Sequence, residues 1–131
     1  MSDGTIKQVI VMRKDLKMQR GKEIAQGSHA SMAFLVDRLD IISVETGHVM
    51  LTKVQEEWVY NGRFTKVCVQ VQSEAELDAV YEKAKAAGLE VHIITDSGAT
   101  VFHGVPTKTC LAIGPDRDFE IDKITGHLKL Y

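Results

Sequence analysis

Between residues 12 and 30 the chain reads MRKDLKMQRGKEIAQGSHA, and the side chains able to handle a charged substrate concentrate there. Arg13, Lys14, Lys17, Arg20 and Lys22 face one acid, Asp15, over residues 13–22. Gln26 and His29 follow Lys22 at i+4 and i+7, so at about 100° per residue the three side chains leave a helix in nearly one direction. A cationic loop, a helix N-terminus with its unpaired N–H groups and a polar stripe would then meet at the end of the strand Val9–Val11. That is an arrangement for holding a phosphate-bearing substrate. Lys22 has two possible tasks: contacting a phosphate, or steadying the negative charge that develops on an attacked carbonyl oxygen.

The second position with chemical potential is Asp96, directly after the apolar strand Val91–Thr95. A carboxylate there could take a proton from water or hold a nucleophilic water in place. It could equally open a turn, since Asp96-Ser97-Gly98 is common turn chemistry. Thr100 and Thr109 could supply hydroxyls to the same pocket, although threonines near strands are usually structural. His29 could take part in acid–base steps or orient its neighbours, and His103 could reach substrate from the loop after Thr100. No Ser or Cys occupies a recognisable nucleophile elbow, so a hydrolase triad is unsupported. No glycine-rich phosphate loop appears, which argues against ATP, GTP or NAD and leaves no cofactor expected.

Composition sets the outer limits. At 131 residues, 44% hydrophobic and 26% charged, the chain fits one globular domain with a single core. The net charge of −2 does not announce a nucleic-acid binder, so the cationic cluster matters because it is local. No apolar run approaches the ~20 residues of a membrane span, and MSDGTIK lacks a signal-peptide core. Cys68 and Cys110 read as buried free thiols in a reducing, cytoplasmic setting. Their spacing from each other and from the histidines does not suit a metal site, so no metal is expected.

The elements that must position these residues alternate between the strand and helix periods. Strands are expected at Lys7–Met12, Thr65–Gln72, Leu89–Thr95 and Lys108–Ile113, the last halted by Gly114-Pro115. Helices are expected at about Lys22–Asp37, with Ile24, Ser28, Met32 and Leu35 inward, then at His48–Tyr60, after Ser73, and at Asp116–Ile124. Ser73 and Glu76 form the S-x-x-E cap pattern, and Gly88 ends that helix. Asp40–Gly47 is weakly determined. The order predicts an α/β single domain with a mixed four-stranded sheet covered by helices on both faces. The strand–helix–strand unit over 65–95 should run parallel, and the last strand antiparallel. The ends of the first and third strands would bring the cationic loop and the Asp96 segment to one rim.

Two end segments carry a resemblance. VIVMRKDLKMQRGKEIAQGSHASMAFL and CLAIGPDRDFEIDKITGHLKLY resemble the opening and terminus of the archaeal/eukaryotic-type (type II) peptidyl-tRNA hydrolases, and the middle is compatible in length and order. The resemblance implies hydrolysis of the ester joining a peptide to the 3′ end of tRNA, a mixed four-stranded sheet, a homodimer, tRNA as partner and no metal. It places the family lysine on Lys22, the helix polar positions on Gln26 and His29, the acid on Asp96 and the threonines on Thr100 and Thr109. Arg13, Lys14, Lys17 and Arg20 would then attract tRNA phosphates, with binding that weakens as salt rises. Where the family reads D-A-G-R-T-Q, this chain reads Asp96-Ser97-Gly98-Ala99-Thr100-Val101, and the following turn, His103 to Thr107, is one residue longer. Two rival readings stand beside the enzyme: a non-catalytic RNA- or protein-binding module on the same scaffold, and a hydrolase of a different ester or amide.

Overall fold

The computed structural model describes residues 5–39, 45–99 and 102–131. Thr100, Val101 and most of the weakly determined stretch, residues 40–44, lie outside the described residues. Strands β1 (Ile6–Arg13), β2 (Lys66–Val71), β3 (Val91–Asp96) and β4 (Thr107–Arg117) form one sheet in the order β2-β1-β4-β3. β1 and β2 pair in parallel, while β4 runs antiparallel to both β1 and β3. β2 and β3 therefore point the same way, as expected, but they occupy opposite edges instead of lying side by side. Helices α1 (Arg20–Val36), α2 (Lys53–Tyr60), α3 (Glu74–Ala86) and α4 (Asp118–Thr125), with a 3-10 turn over Lys14–Leu16, join the sheet.

The strand alternation divides the interior into two layers. Val9, Val11, Val69, Val71, Leu111 and Ile113 face α3 and α4, where Leu77, Val80, Ala84 and Ile121 close over them. On the other face Met12, Cys110 and Ala112 meet Ala30 of α1 and Met18 of the preceding loop. Ile6, Phe34 and Trp58 form a third cluster where β1 begins, with the Trp58 Nε1–H donating to the Thr65 carbonyl at 2.9 Å. Both thiols are free, and burial pushes Cys110 up to about 12.

Several boundaries and one helix phase differ from the sequence expectation. α1 starts two residues early, at Arg20, and buries Gln26, Gly27, Ala30, Ser31 and Phe34 instead of the stripe Ile24, Ser28, Met32 and Leu35. Ile24 and Met32 are 62% and 56% exposed. The small residues face the sheet because they let the helix axis come close: a Cβ on Gly27 would already touch Met12 at 3.6 Å. α2 begins at Lys53, not His48, because Thr52 and Gln55 make a reciprocal cap. In α3 Ser73 accepts from the Glu76 N–H at 3.0 Å, whereas the Glu76 carboxylate reaches back to the Gln72 N–H. β4 continues through Gly114-Pro115 because Ile6 and Lys7 of β1 pair with Arg117 and Asp116.

Candidate active site

Two irregularities of β3 and β4 build the site. Opposite Ile94 and Thr95, β4 carries one extra residue: Ile94 pairs with Cys110 and Thr95 with Lys108, leaving Thr109 unpaired in the register. Such a bulge re-aims a side chain. Thr109, fully buried, donates its hydroxyl to Gln26 Oε1 on α1 at 2.5 Å. Just beyond β3, Gly98 adopts φ +85°, and its N–H donates to Asp96 Oδ2 at 2.8 Å. A side chain at Gly98 would collide with the Val105 backbone, its Cβ falling 2.4 Å from the carbonyl oxygen. The Gly104 N–H donates to the Gly98 carbonyl at 2.8 Å and helps close this loop.

Folding brings the two distant charges into contact. Lys22 Nζ lies 2.8 Å from Asp96 Oδ1, and Gln26 Nε2 donates to the same oxygen at 3.3 Å. The side chains of Lys22 and Asp96 are 19% and 10% exposed, so the pair sits at the surface of the molecule but in a recess. Hydrogen bonds from Lys22 and Gly98 hold the Asp96 carboxyl below its ordinary range against the opposing effect of burial, with lesser help from the fields of Lys22 and His29. Among the described residues, three of the four acceptor positions on the carboxylate are taken and the fourth, on Oδ2, is open. The arrangement can therefore orient a water or a substrate hydroxyl beside an ammonium group.

The other expected residues divide by what they touch. Lys14 and Lys17 are exposed around the turn 14–17, where Lys17 takes the left-handed φ of +53°, and Arg20 is exposed at the start of α1. Arg13 departs from the expectation of a loop cation. Its guanidinium holds Asp15 at 2.7 Å and the Lys108 carbonyl at 3.0 Å, which ties β1 to β4. Gln26, expected to contact substrate, is 5% exposed and links Thr109 to Asp96. Thr109, expected at the reacting atoms, acts through that link. His29 is exposed on α1, and His103 is exposed at φ +53° in the closing loop.

Two contributors were not singled out from the sequence: Gly98, through its N–H, and Phe102, whose ring centre lies 5.9 Å from Lys22 Nζ. The Asp-Ser-Gly turn was the available signal for Gly98. Asp96 opens that turn through the Gly98 N–H and also pairs with Lys22. For Phe102 no local pattern distinguishes the ring from any loop aromatic.

Comparison with known proteins bears on the family of the whole chain. Residues 6–131 match the family model described as Peptidyl-tRNA hydrolase PTH2. The chain is 42% identical over 125 residues to the peptidyl-tRNA hydrolase of Methanocaldococcus jannaschii, covering 95% of this chain and 99% of that one. It is 41% identical over 134 residues to the peptidyl-tRNA hydrolase of Aeropyrum pernix, with both chains fully covered. Human peptidyl-tRNA hydrolase 2, mitochondrial, is 38% identical over 128 residues, covering 98% of this chain and 65% of the human protein. A solved structure of a protein of unknown function from Agrobacterium tumefaciens shares the fold, with a TM-score of 0.55 at 15% identity over 100% of this chain and 99% of that one. With its family model spanning strand β1 to the final residue, this chain belongs to the peptidyl-tRNA hydrolase PTH2 family.

Proposed function

We propose that this protein hydrolyses the ester between a peptide, or an N-blocked amino acid, and the 3′ end of tRNA. The observation that carries the reading is the Lys22–Asp96 pair, 74 positions apart in sequence and 2.8 Å apart in space, at the foot of an exposed cationic loop. Lys14, Lys17 and Arg20 attract the tRNA phosphates. Lys22 and the positive end of the α1 dipole steady the charge that builds on the ester carbonyl oxygen. Asp96, held firmly ionised, is a weak base, and it serves mainly to place water against the carbonyl through Oδ2. Gln26 and Thr109 keep that carboxylate in position. His103 and Phe102 border the substrate from the closing loop. Thr100 joins the proposed machinery on the strength of the family resemblance alone.

The ester is an activated bond, which lowers the demand on the base, and the family relationship supports this substrate over other esters or amides. Two finer properties complete the reading. The protein works as a homodimer in the cytoplasm, a reading supported by the free thiols and by an apolar ridge on α1. Among the described residues no helix is long and apolar enough to cross a membrane.

The test is release of the acyl amino acid from N-acetyl-aminoacyl-tRNA. Asp96→Ala and Lys22→Ala should each lower kcat by roughly 10²–10³-fold, the scale of losing one oriented charged group, while tRNA binding persists. Tight tRNA binding without turnover in the unaltered protein would establish the non-catalytic module instead. Turnover of small esters alone would establish a different hydrolase.

A further inference from the structure

The two edges of the sheet are treated differently. At the β2 edge the C-terminal tail adds a strand-like segment: the Gln70 N–H donates to the Lys129 carbonyl and the Tyr131 N–H to the Cys68 carbonyl, both at 3.0 Å, around the bridge Val69–Leu130. Tyr131 is then anchored by its hydroxyl, which donates to the Glu23 carboxylate on α1. Among the described residues β3 has no such cover. Its partner is β4, and the Glu90 carbonyl accepts from the Gly114 N–H at 2.8 Å, which fixes the alternation. Residues at even positions, Glu90, His92 and Ile94, aim their backbone groups at β4. The N–H and C=O groups of Val91, Ile93 and Thr95 aim outward and meet no partner among the described residues. The strand VHIITD also carries no Lys or Pro, the residues that commonly keep an edge from pairing.

This open edge ends on Asp96, the carboxylate of the site. We infer that the β3 edge is the binding rail for the peptidyl part of the substrate, which adds to the sheet as a parallel fifth strand beside Val91, Ile93 and Thr95. The inference rests on the ester-hydrolase reading above and names the part of the substrate that this edge receives. Direction follows from chemistry. The esterified residue is the C-terminal one of the peptide, so it must lie at the Asp96 end, and the rest of the peptide runs back toward Val91 in the direction parallel to β3. An antiparallel peptide would leave its ester about 16 Å away, five strand steps from the carboxylate. Recognition through main-chain groups also suits an enzyme whose peptide substrates differ in sequence, because every residue except proline offers the same donor and acceptor.

The test uses the whole protein and a set of peptidyl-tRNAs. kcat/KM should rise at least about tenfold from N-acetyl-alanyl-tRNA to an alanine pentapeptidyl-tRNA, and by the same factor when leucine replaces the inner alanines. N-methylation of single amides in the pentapeptide should alternate. At ladder-facing residues it costs about fivefold, the worth of one net hydrogen bond, and at the residues between it costs little. A flat dependence on length, or N-methyl effects without the period of two, would overturn the rail while leaving ester hydrolysis intact. Absence of turnover on every substrate would overturn both readings. Protection of the Val91, Ile93 and Thr95 amides from hydrogen exchange that grows with protein concentration, without substrate, would assign the edge to a second copy and overturn the rail.

Discussion

Asp96 carries three bonds before any substrate arrives: Lys22 and Gln26 on one oxygen, the Gly98 N–H on the other. A group so fully engaged on its charged form gives up proton affinity and gains fixed orientation. The sign of the pH effect follows. Because the folded carboxyl titrates lower than the unfolded one, the stability it adds is complete above an ordinary carboxylate pKa of about 4. That contribution is lost as pH falls through the lowered folded value. The pH profile of kcat/KM on N-acetyl-aminoacyl-tRNA should accordingly show no acid limb from Asp96 between about pH 5 and 8. A limb centred near neutrality would mean that another group is the base.

At this scale the sequence conveyed types but not partners. The polar stripe Lys22, Gln26 and His29 was legible from helix spacing, and the strand ends already put the Lys22 and Asp96 segments on one rim, with the family likeness naming the same two residues. Nothing local revealed that Gln26 would be buried against Thr109 or that Arg13 would grip Asp15 and the Lys108 carbonyl. Those roles depend on a bulge in β4 and on the β1–β4 register, which are long-range facts.

Among the elements, α1 does the most. One flank presents Lys22 and Gln26 to Asp96, and its sheet side is made of Gly27, Ala30 and Ser31. The exposed side carries Ile24, Met32 and Val36, while Phe34 is buried. The expected stripe Ile24, Ser28, Met32 and Leu35 therefore lies one step out of phase with the buried row Gly27, Ser31 and Phe34. The strands gave no such trouble: Val67, Val69 and Val71 share one face, and a period of two leaves little freedom of phase. Opposite α1, the loop after β3 is held by Gly98 at a positive φ and in contact with Val105. Gly98→Ala should destabilise the protein by about 1–3 kcal/mol in urea unfolding. It should also lower kcat by at least about tenfold, since displacing the Gly98 N–H frees one Asp96 oxygen. An unchanged kcat would show that the loop does not position the carboxylate.

Taken whole, the molecule leaves a groove of about 600 Å³ between α1 and the β1–β2 side of the sheet. The groove is lined in part by Ile10, Phe34, Trp58 and Cys68. Along its lip Ile24, Ser28 and Met32 stand four residues apart, the i±4 row that packs against a like row on another helix. The row is symmetric about Ser28, so two antiparallel copies would set Ile24 of each against Met32 of the other. Sedimentation at micromolar concentration should give twice the 14.5 kDa chain mass, and Met32→Arg should return the monomer with its secondary structure intact. A monomeric unaltered protein would exclude this pairing.

Trp58, the chain's sole indole, is packed edge-on between Phe34 and Phe64 where β1 and β2 begin, at the opposite end of the sheet from Asp96. Its emission is thus a built-in optical gauge of that flank, one that needs no label. Because the chromophore stands apart from the proposed catalytic pair, a variant at that pair can lose turnover without changing its fluorescence. A red shift in such a variant would report damaged architecture, not impaired chemistry.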